Sequence, residues 1–206
     1  KNPDTALVFI HHPEIGAAPD DWKDEKGKQK LGIRQAYLAS KWGLSPRTLL
    51  NDRRGAGWKN PKLDGEYYMR AWWFKPDYGK LFLQIWERYV EKAAMIDRKH
   101  PFAFVNLDRE PVGGIYTIDT FRACHAAAVR RIGLPYGKYY GTTEHGHRHS
   151  YAQRLRRAGI DQKLLQTFLH HKSIESQTVY TMPTIEECLL SLSLASEKMR
   201  PAKAII

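Results

Sequence analysis

The chain has 206 residues and a net charge of +11, with 42% hydrophobic residues, which is enough for a sizeable core. The positive excess favours a polyanionic partner, most often nucleic acid, and no apolar run approaches the roughly 18 residues of a membrane-spanning helix. The two cysteines, Cys124 and Cys188, form no motif, which argues against a disulfide framework and indicates a reducing cytoplasm.

The first part of the chain predicts two strands around one helix. Residues 6–10 are a short apolar run typical of a strand. Apolar residues at helical spacing predict a helix over 29–42, and residues 44–66 are expected to be extended or looped. The aromatic segment 67–75 predicts a strand ended by Pro76. We interpret its rings as core packing rather than as a surface for base stacking.

The middle of the chain predicts two helices around a short extended segment. Apolar residues recur at helical spacing over 80–97, and residues 101–105 are an apolar run typical of a buried strand. Thr117 is positioned to cap a helix that ends at about Ile132, with Gly133 as its stop.

The last part of the chain is predicted to be helical throughout. Helices are expected over 147–157 and 162–170, followed by a short helix that starts near Ser173. Thr184 and Glu187 have the spacing of a capping box at the start of a final helix over 185–198.

Histidine and arginine concentrate in the stretch from Thr143 to Met182. His145 and Arg148 belong to an H-x-x-R-H pattern, His171 follows Arg148 by 23 residues, and Tyr180 follows His171 by nine. No transition-metal scaffold or hydrolase triad uses this order. A planar Arg fork can hold two phosphate oxygens and offset the charge of a transition state. A phenol becomes a nucleophile when an acceptor of its proton lies beside it.

These spacings resemble the catalytic core of the tyrosine recombinases, the phage integrase family. Their signature joins H-x-x-R-H to a Leu-Gly-His-x-Ser element and to a nucleophilic Tyr nine residues beyond that His. The second element here spans residues 169–173, with His170 in place of the Gly. The resemblance implies an α+β, mainly α, tyrosine recombinase catalytic-domain fold with a small antiparallel sheet.

The resemblance also implies a role for each residue of the pattern. Tyr180 would attack DNA to form a 3′-phosphotyrosine link, while Arg148 holds the phosphate. His145 would assist proton transfer, and His171 would donate a hydrogen bond to the phosphate oxygens. His149, next to Arg148, is interpreted as structural. The covalent link stores the energy of the phosphodiester, so no cofactor, ATP or metal is expected.

Two further residues of the family pattern have more than one candidate. The family uses a Lys on a β-hairpin as general acid, for which Lys59 is the first choice and Lys62 the second. It also carries another phosphate-binding Arg in a Gly-Leu-Arg turn. The similar triplet here ends at Arg34 and lacks the acidic residue that commonly follows. We therefore expect residues 1–206 to be a partial catalytic domain, inactive alone, without that Arg and without the N-terminal DNA-clamping domain.

The expected protein is a site-specific recombinase of a phage or mobile element. Its expected partners are double-stranded DNA and, at full length, three further copies in a tetramer on DNA, with no membrane and a cytoplasmic, nucleoid-associated location. The alternatives are a type IB topoisomerase-like enzyme and a non-catalytic DNA-binding module of the same fold. A metal site at His145, His147 and His149 is a further alternative, because positions i and i+4 share a helix face.

Overall fold

The computed structural model describes residues 5–173, 175, 183 and 185–198, and within these it contains six α-helices and a two-stranded antiparallel sheet. The strands are β1, Phe9–His11, and β2, Tyr68–Arg70. The helices, numbered α1 to α6, are Arg34–Trp42, Pro76–Ala94, Ile118–Arg131, Glu144–Arg157, Gln162–Phe168 and Ile185–Lys198. The predicted fold class, mainly α with a small antiparallel sheet, is confirmed.

The sheet joins two strands that are far apart in the chain. Phe9 pairs with Arg70, and His11 pairs with Tyr68. Both strands are shorter than predicted. Ala71 still donates a backbone hydrogen bond to the Val8 carbonyl oxygen at 2.9 Å, but Trp73 reaches Ala6 through its side chain instead of through strand pairing. The predicted strand over 101–105 is reduced to a single bridge between Val105 and Ile115.

The aromatic residues after β2 pack against helices. The Trp72 ring lies 5.5 Å from the Phe168 ring of α5, and the Trp73 ring lies 5.3 Å from the Phe82 ring of α2. The Trp73 indole also donates a hydrogen bond to the Ala6 carbonyl oxygen at 2.7 Å. These contacts agree with the core-packing interpretation, and they explain why the strand stops at Arg70.

Several helix ends follow local sequence signals. Gly43 adopts the left-handed conformation at the end of α1, with φ of 62°. Thr117 accepts the backbone N–H of Thr120 at the start of α3, as predicted. The predicted start of α2 was wrong. Pro76 does not end a strand but opens the helix, at the position where its missing N–H costs nothing.

The start of α1 also differs from the prediction. Residues 29–33 are extended, and Ile33 bridges Ala17 across a loop. Because these residues pair with the preceding loop, the helix begins only at Arg34.

The main core lies between α4 and α5. Ala152 and Leu155 of α4 pack with Leu165 of α5 and with Leu169, and all four are almost fully buried. This core fixes the end of α5 against the face of α4. A second core forms around Trp22, Tyr37 and Leu38 of the N-terminal region.

The C-terminal elements differ from prediction mainly at their boundaries. Helix α4 begins at Glu144 rather than at residue 147, and α5 ends at Phe168 rather than at 170. The last helix has the predicted bounds. The predicted short helix near Ser173 and the capping residue Thr184 lie outside the described residues. No described helix is both long and apolar enough to cross a membrane.

Candidate active site

Arg148 lies in the second turn of α4, where it reaches the end of α5. The side chain is half-buried, and its Nη2 donates a hydrogen bond to the carbonyl oxygen of Leu169. Since Leu169 belongs to the main core, this contact ties the guanidinium to a rigid point. The other guanidinium N–H groups keep the planar geometry that suits two phosphate oxygens.

His171 follows α5 and lies beside Arg148. Its backbone N–H donates to the Gln166 carbonyl oxygen at 3.0 Å. Burial, together with the charges of Arg148 and His170, lowers the pKa of His171 to about 4. The imidazole is therefore neutral at pH 7, with one ring N–H that can be donated. The structure thus brings two of the sequence-predicted residues, Arg148 and His171, to one place.

His145 and His149 form a pair one turn apart on α4. Their rings are 4.7 Å apart and perpendicular. Burial is the main cause of the lowered pKa of His149, and the charges of His145, Arg148 and Lys138 act in the same direction. His145, His149 and Lys138 line a cleft of about 520 Å³, which we call the His145 cleft.

His147 belongs to a different cluster, formed between α3 and α4. Its Nε2 lies 2.7 Å from Nε2 of His125. The Glu144 carboxylate accepts a hydrogen bond from the Tyr136 hydroxyl at 3.0 Å and lies 3.7 Å from His125. His147 therefore faces α3, whereas His145 and His149 contact each other. Among the described residues, no group of three or more His, Cys, Asp and Glu is placed to hold a metal ion.

The two candidate lysines lie in the segment before β2, and Lys62 contacts the end of α5. The Lys62 backbone N–H donates to the His170 carbonyl oxygen at 3.0 Å. Its ammonium donates to the Thr167 hydroxyl at 3.2 Å. Lys59 is exposed three residues earlier, next to Asn60 with its φ of 48°. The structure thus brings Lys62 to the segment that carries His171.

Arg34 is the first residue of α1 and lies beside β1. Burial lowers the pKa of Arg34, and its charge contributes to the lowered pKa of His11. The two residues line a groove of about 1000 Å³ together with Arg47. Arg34 is thus a half-buried residue beside the sheet rather than an exposed residue of a helix surface.

Tyr180 lies outside the described residues. The neighbouring phenol on α4, Tyr151, packs on the main core and donates a hydrogen bond to the Trp72 carbonyl oxygen at 3.0 Å. Burial raises the pKa of Tyr151 to about 12. Tyr151 is therefore structural, as its position on α4 predicts.

Comparison with protein families gives one match. The model of the phage integrase family matches residues 79–187, which is more than half of the chain. The chain belongs to the phage integrase family. The match begins in α2, ends in α6 and includes His145, Arg148, His171 and Tyr180. No curated protein and no solved structure gives a significant match.

Membership in the phage integrase family defines a class of activity and a partner. Its proteins bind DNA and rearrange it, and the matched region is a tyrosine recombinase catalytic domain. Of the integrase signature residues, His145 and Arg148 lie in α4 and His171 directly follows α5, two helices that the main core joins.

Sequence reasoning missed the conformation of His170 in this integrase-family chain. His170 has a φ of 53°, in the left-handed region. The integrase signature has Gly at this position, which is the residue that adopts such a φ without steric cost. The Gly of the family signature was therefore the sequence signal for a left-handed backbone at residue 170. His125, which lies 22 residues before its partner His147, had no such signal.

Proposed function

We propose that this protein is a site-specific DNA recombinase that cleaves and rejoins DNA through a 3′-phosphotyrosine at Tyr180. The observation that carries the proposal is the hydrogen bond from Arg148 to the carbonyl oxygen of Leu169, two residues before His171. This contact supports a site in which the Arg148 guanidinium, held in place, and an N–H group of the neutral His171 imidazole bind one phosphate.

The proposed reaction transfers phosphorus between two oxygens. The Tyr180 oxygen attacks the phosphorus, and the phenol proton passes to His145. The bond from phosphorus to the 5′-oxygen breaks, and that oxygen takes a proton from a lysine ammonium. Arg148 and His171 hold the non-bridging oxygens, on which negative charge builds up. Attack by a 5′-hydroxyl on the phosphotyrosine reverses the steps and rejoins the strand.

The contacts favour Lys62 over Lys59 as the general acid, reversing the order that the sequence suggested. The Lys62 ammonium donates a hydrogen bond to the hydroxyl of Thr167, which lies in α5, four residues before His171. A general acid must come within hydrogen-bond reach of the leaving oxygen. We therefore propose that the Lys62 ammonium exchanges Thr167 for the leaving oxygen during cleavage.

We further propose that residues 1–206 are a part of the catalytic domain. The second phosphate-binding Arg would then lie outside these residues, since the triplet that ends at Arg34 lacks the acidic residue that commonly follows in the family. The DNA-clamping domain would also lie elsewhere in the full-length protein. Recombination would need a tetramer of full-length chains on two DNA duplexes, in the cytoplasm and at the nucleoid.

A nicked suicide DNA substrate tests this function. After cleavage next to the nick, a short strand diffuses away and the covalent adduct is trapped. Full-length protein should give an adduct that depends on the DNA sequence. Binding without an adduct would favour a non-catalytic DNA-binding module. Relaxation of supercoiled plasmid without a specific site would favour a topoisomerase-like enzyme.

A further inference from the structure

The His170 ring fills the junction between α5 and the turn that leads into β2. Its Nε2 donates to the Arg70 carbonyl oxygen at 3.0 Å, and its Nδ1 lies 3.5 Å from a carboxylate oxygen of Asp64. The same Asp64 oxygen accepts the backbone N–H of Arg70 at 2.7 Å. Only 14% of the His170 side chain is exposed. The ring therefore contacts both ends of the segment formed by residues 64–70, which includes the turn and β2 and which we call the 64–70 turn.

The backbone of His170 makes a second connection, to the segment just before that turn. Its carbonyl oxygen accepts the Lys62 N–H at 3.0 Å, and its N–H donates to Thr167 at 3.0 Å. His170 thus lies between Lys62 on one side and the peptide of His171 on the other.

The conformation of His170 carries an energetic cost that the ring contacts offset. Its φ of 53° is in the left-handed region, where a side chain with a Cβ atom is disfavoured. This residue turns the chain out of α5, so that the His171 N–H can donate to Gln166 at 3.0 Å. Glycine would meet the backbone requirement at less cost, but it offers no ring to the 64–70 turn.

We infer that His170 is a positioning residue that sets Lys62 at the correct distance from the phosphate held by Arg148 and His171. This inference rests on the proposed function, in which the ammonium of Lys62 protonates the leaving 5′-oxygen. Without the ring, the 64–70 turn loses contacts with α5 at two points. Lys62, two residues before that turn, is then no longer held at the proposed distance from the phosphate.

The test compares two leaving groups in the same full-length protein. One suicide substrate has the ordinary 5′-oxygen, and the other has sulfur in its place. A thiol has a pKa of about 8.5, so the sulfur leaves as a thiolate without a proton from Lys62. The variants are His170→Gly, which suits the left-handed backbone, His170→Asn, which also tolerates it and keeps a donor for Arg70, and Lys62→Ala.

His170→Gly should slow cleavage of the oxygen substrate by about 10- to 100-fold, the range expected for a misplaced catalytic group. Cleavage of the sulfur substrate should stay within about threefold of wild type. Lys62→Ala should give the same pattern, and the double variant should lose little more, since the two residues act together. His170→Asn should recover part of the rate on the oxygen substrate.

The ratio of the two rates within one variant does not depend on how much of that variant is folded. Equal losses on both substrates, or no loss on either, in His170→Gly and His170→Asn would overturn the inference. A failure of the proposed function is recognised separately, because wild-type protein would then give no adduct with either substrate.

Discussion

Arg148 donates a hydrogen bond to the carbonyl oxygen of Leu169, two residues before His171. The contact couples α4 to the end of α5 through a residue that also belongs to the core. The side chain that we propose to bind phosphate is therefore held by the same packing that stabilises the domain.

Arg148→Lys should reduce adduct formation by about 10²- to 10³-fold, the usual cost of losing one transition-state donor. The ammonium keeps the positive charge but cannot bond Leu169 and two phosphate oxygens in one plane. Rates are measured with the suicide substrate. Arg154→Lys is the matched control, because Arg154 is exposed on the same helix and bonds Ser150. Equal rates in both variants would contradict the assignment of Arg148.

His171 should make stability fall as the pH is lowered from 6.5 to 4. Its pKa in the folded protein is about 4, below the ordinary 6.5, so in this range the unfolded chain binds a proton that the folded one does not. Free energies of unfolding in urea should therefore depend less on pH in His171→Asn than in wild type. Some dependence of the unfolding free energy on pH should remain in His171→Asn, because three other histidines also have lowered pKa values: His11, His100 and His149. Identical slopes in the two proteins would contradict this account.

Leu165→Ala should lower the free energy of unfolding by about 2–5 kcal/mol, because it opens a cavity in a closed core. Leu165 is 2% exposed between α4 and α5. Leu164→Ala, at the neighbouring position on α5, is the control and should cost far less, since Leu164 is 50% exposed. Urea unfolding measures both. A larger loss for Leu164→Ala would show that the α4–α5 core has been wrongly identified.

Lys138→Gln should weaken DNA binding to all sequences alike and lower the slope of log affinity against log salt by about 0.9. Lys138 is exposed and lines the cleft that also holds His145, the proposed acceptor of the Tyr180 proton, so DNA backbone that reaches Tyr180 should pass close to Lys138. Affinity is measured by fluorescence anisotropy over a range of salt concentrations. Lys41→Gln is the control, because Lys41 is paired with Asp21 at 3.0 Å. An unchanged slope in Lys138→Gln would remove this cleft from the DNA interface.

The features that the sequence predicted best are governed by neighbouring residues. The side chain of Thr117 caps the start of α3, and the backbone of Gly43 ends α1; the sequence predicted both. Pro76 was misjudged because proline suits both the end of a strand and the first turn of a helix. The choice depends on Trp72 and Trp73, whose rings pack on distant helices.

The candidate site was predictable in its residue types and only partly in its geometry. The spacing of Arg148 and His171 indicated a shared phosphate, and the structure brings them together. The sequence could not decide between Lys59 and Lys62. That choice depends on contacts between residues far apart in the chain, such as the hydrogen bond from Lys62 to Thr167, 105 residues later. The left-handed φ of His170 was signalled by the Gly of the family pattern and was missed, whereas its ring contacts, about a hundred residues earlier in the chain, had no sequence signal.

The identity of the nucleophile is the central claim, and a covalent-adduct gel with Tyr180→Phe tests it most directly. Removing only the hydroxyl keeps the ring, so stability and DNA affinity should be nearly unchanged. Full-length wild type should form an adduct on the suicide substrate, and Tyr180→Phe should form none. Tyr151→Phe should still form one, because the Tyr151 hydroxyl is bonded to Trp72 in the core. An adduct that persists in Tyr180→Phe would contradict the account and show that another residue attacks the DNA.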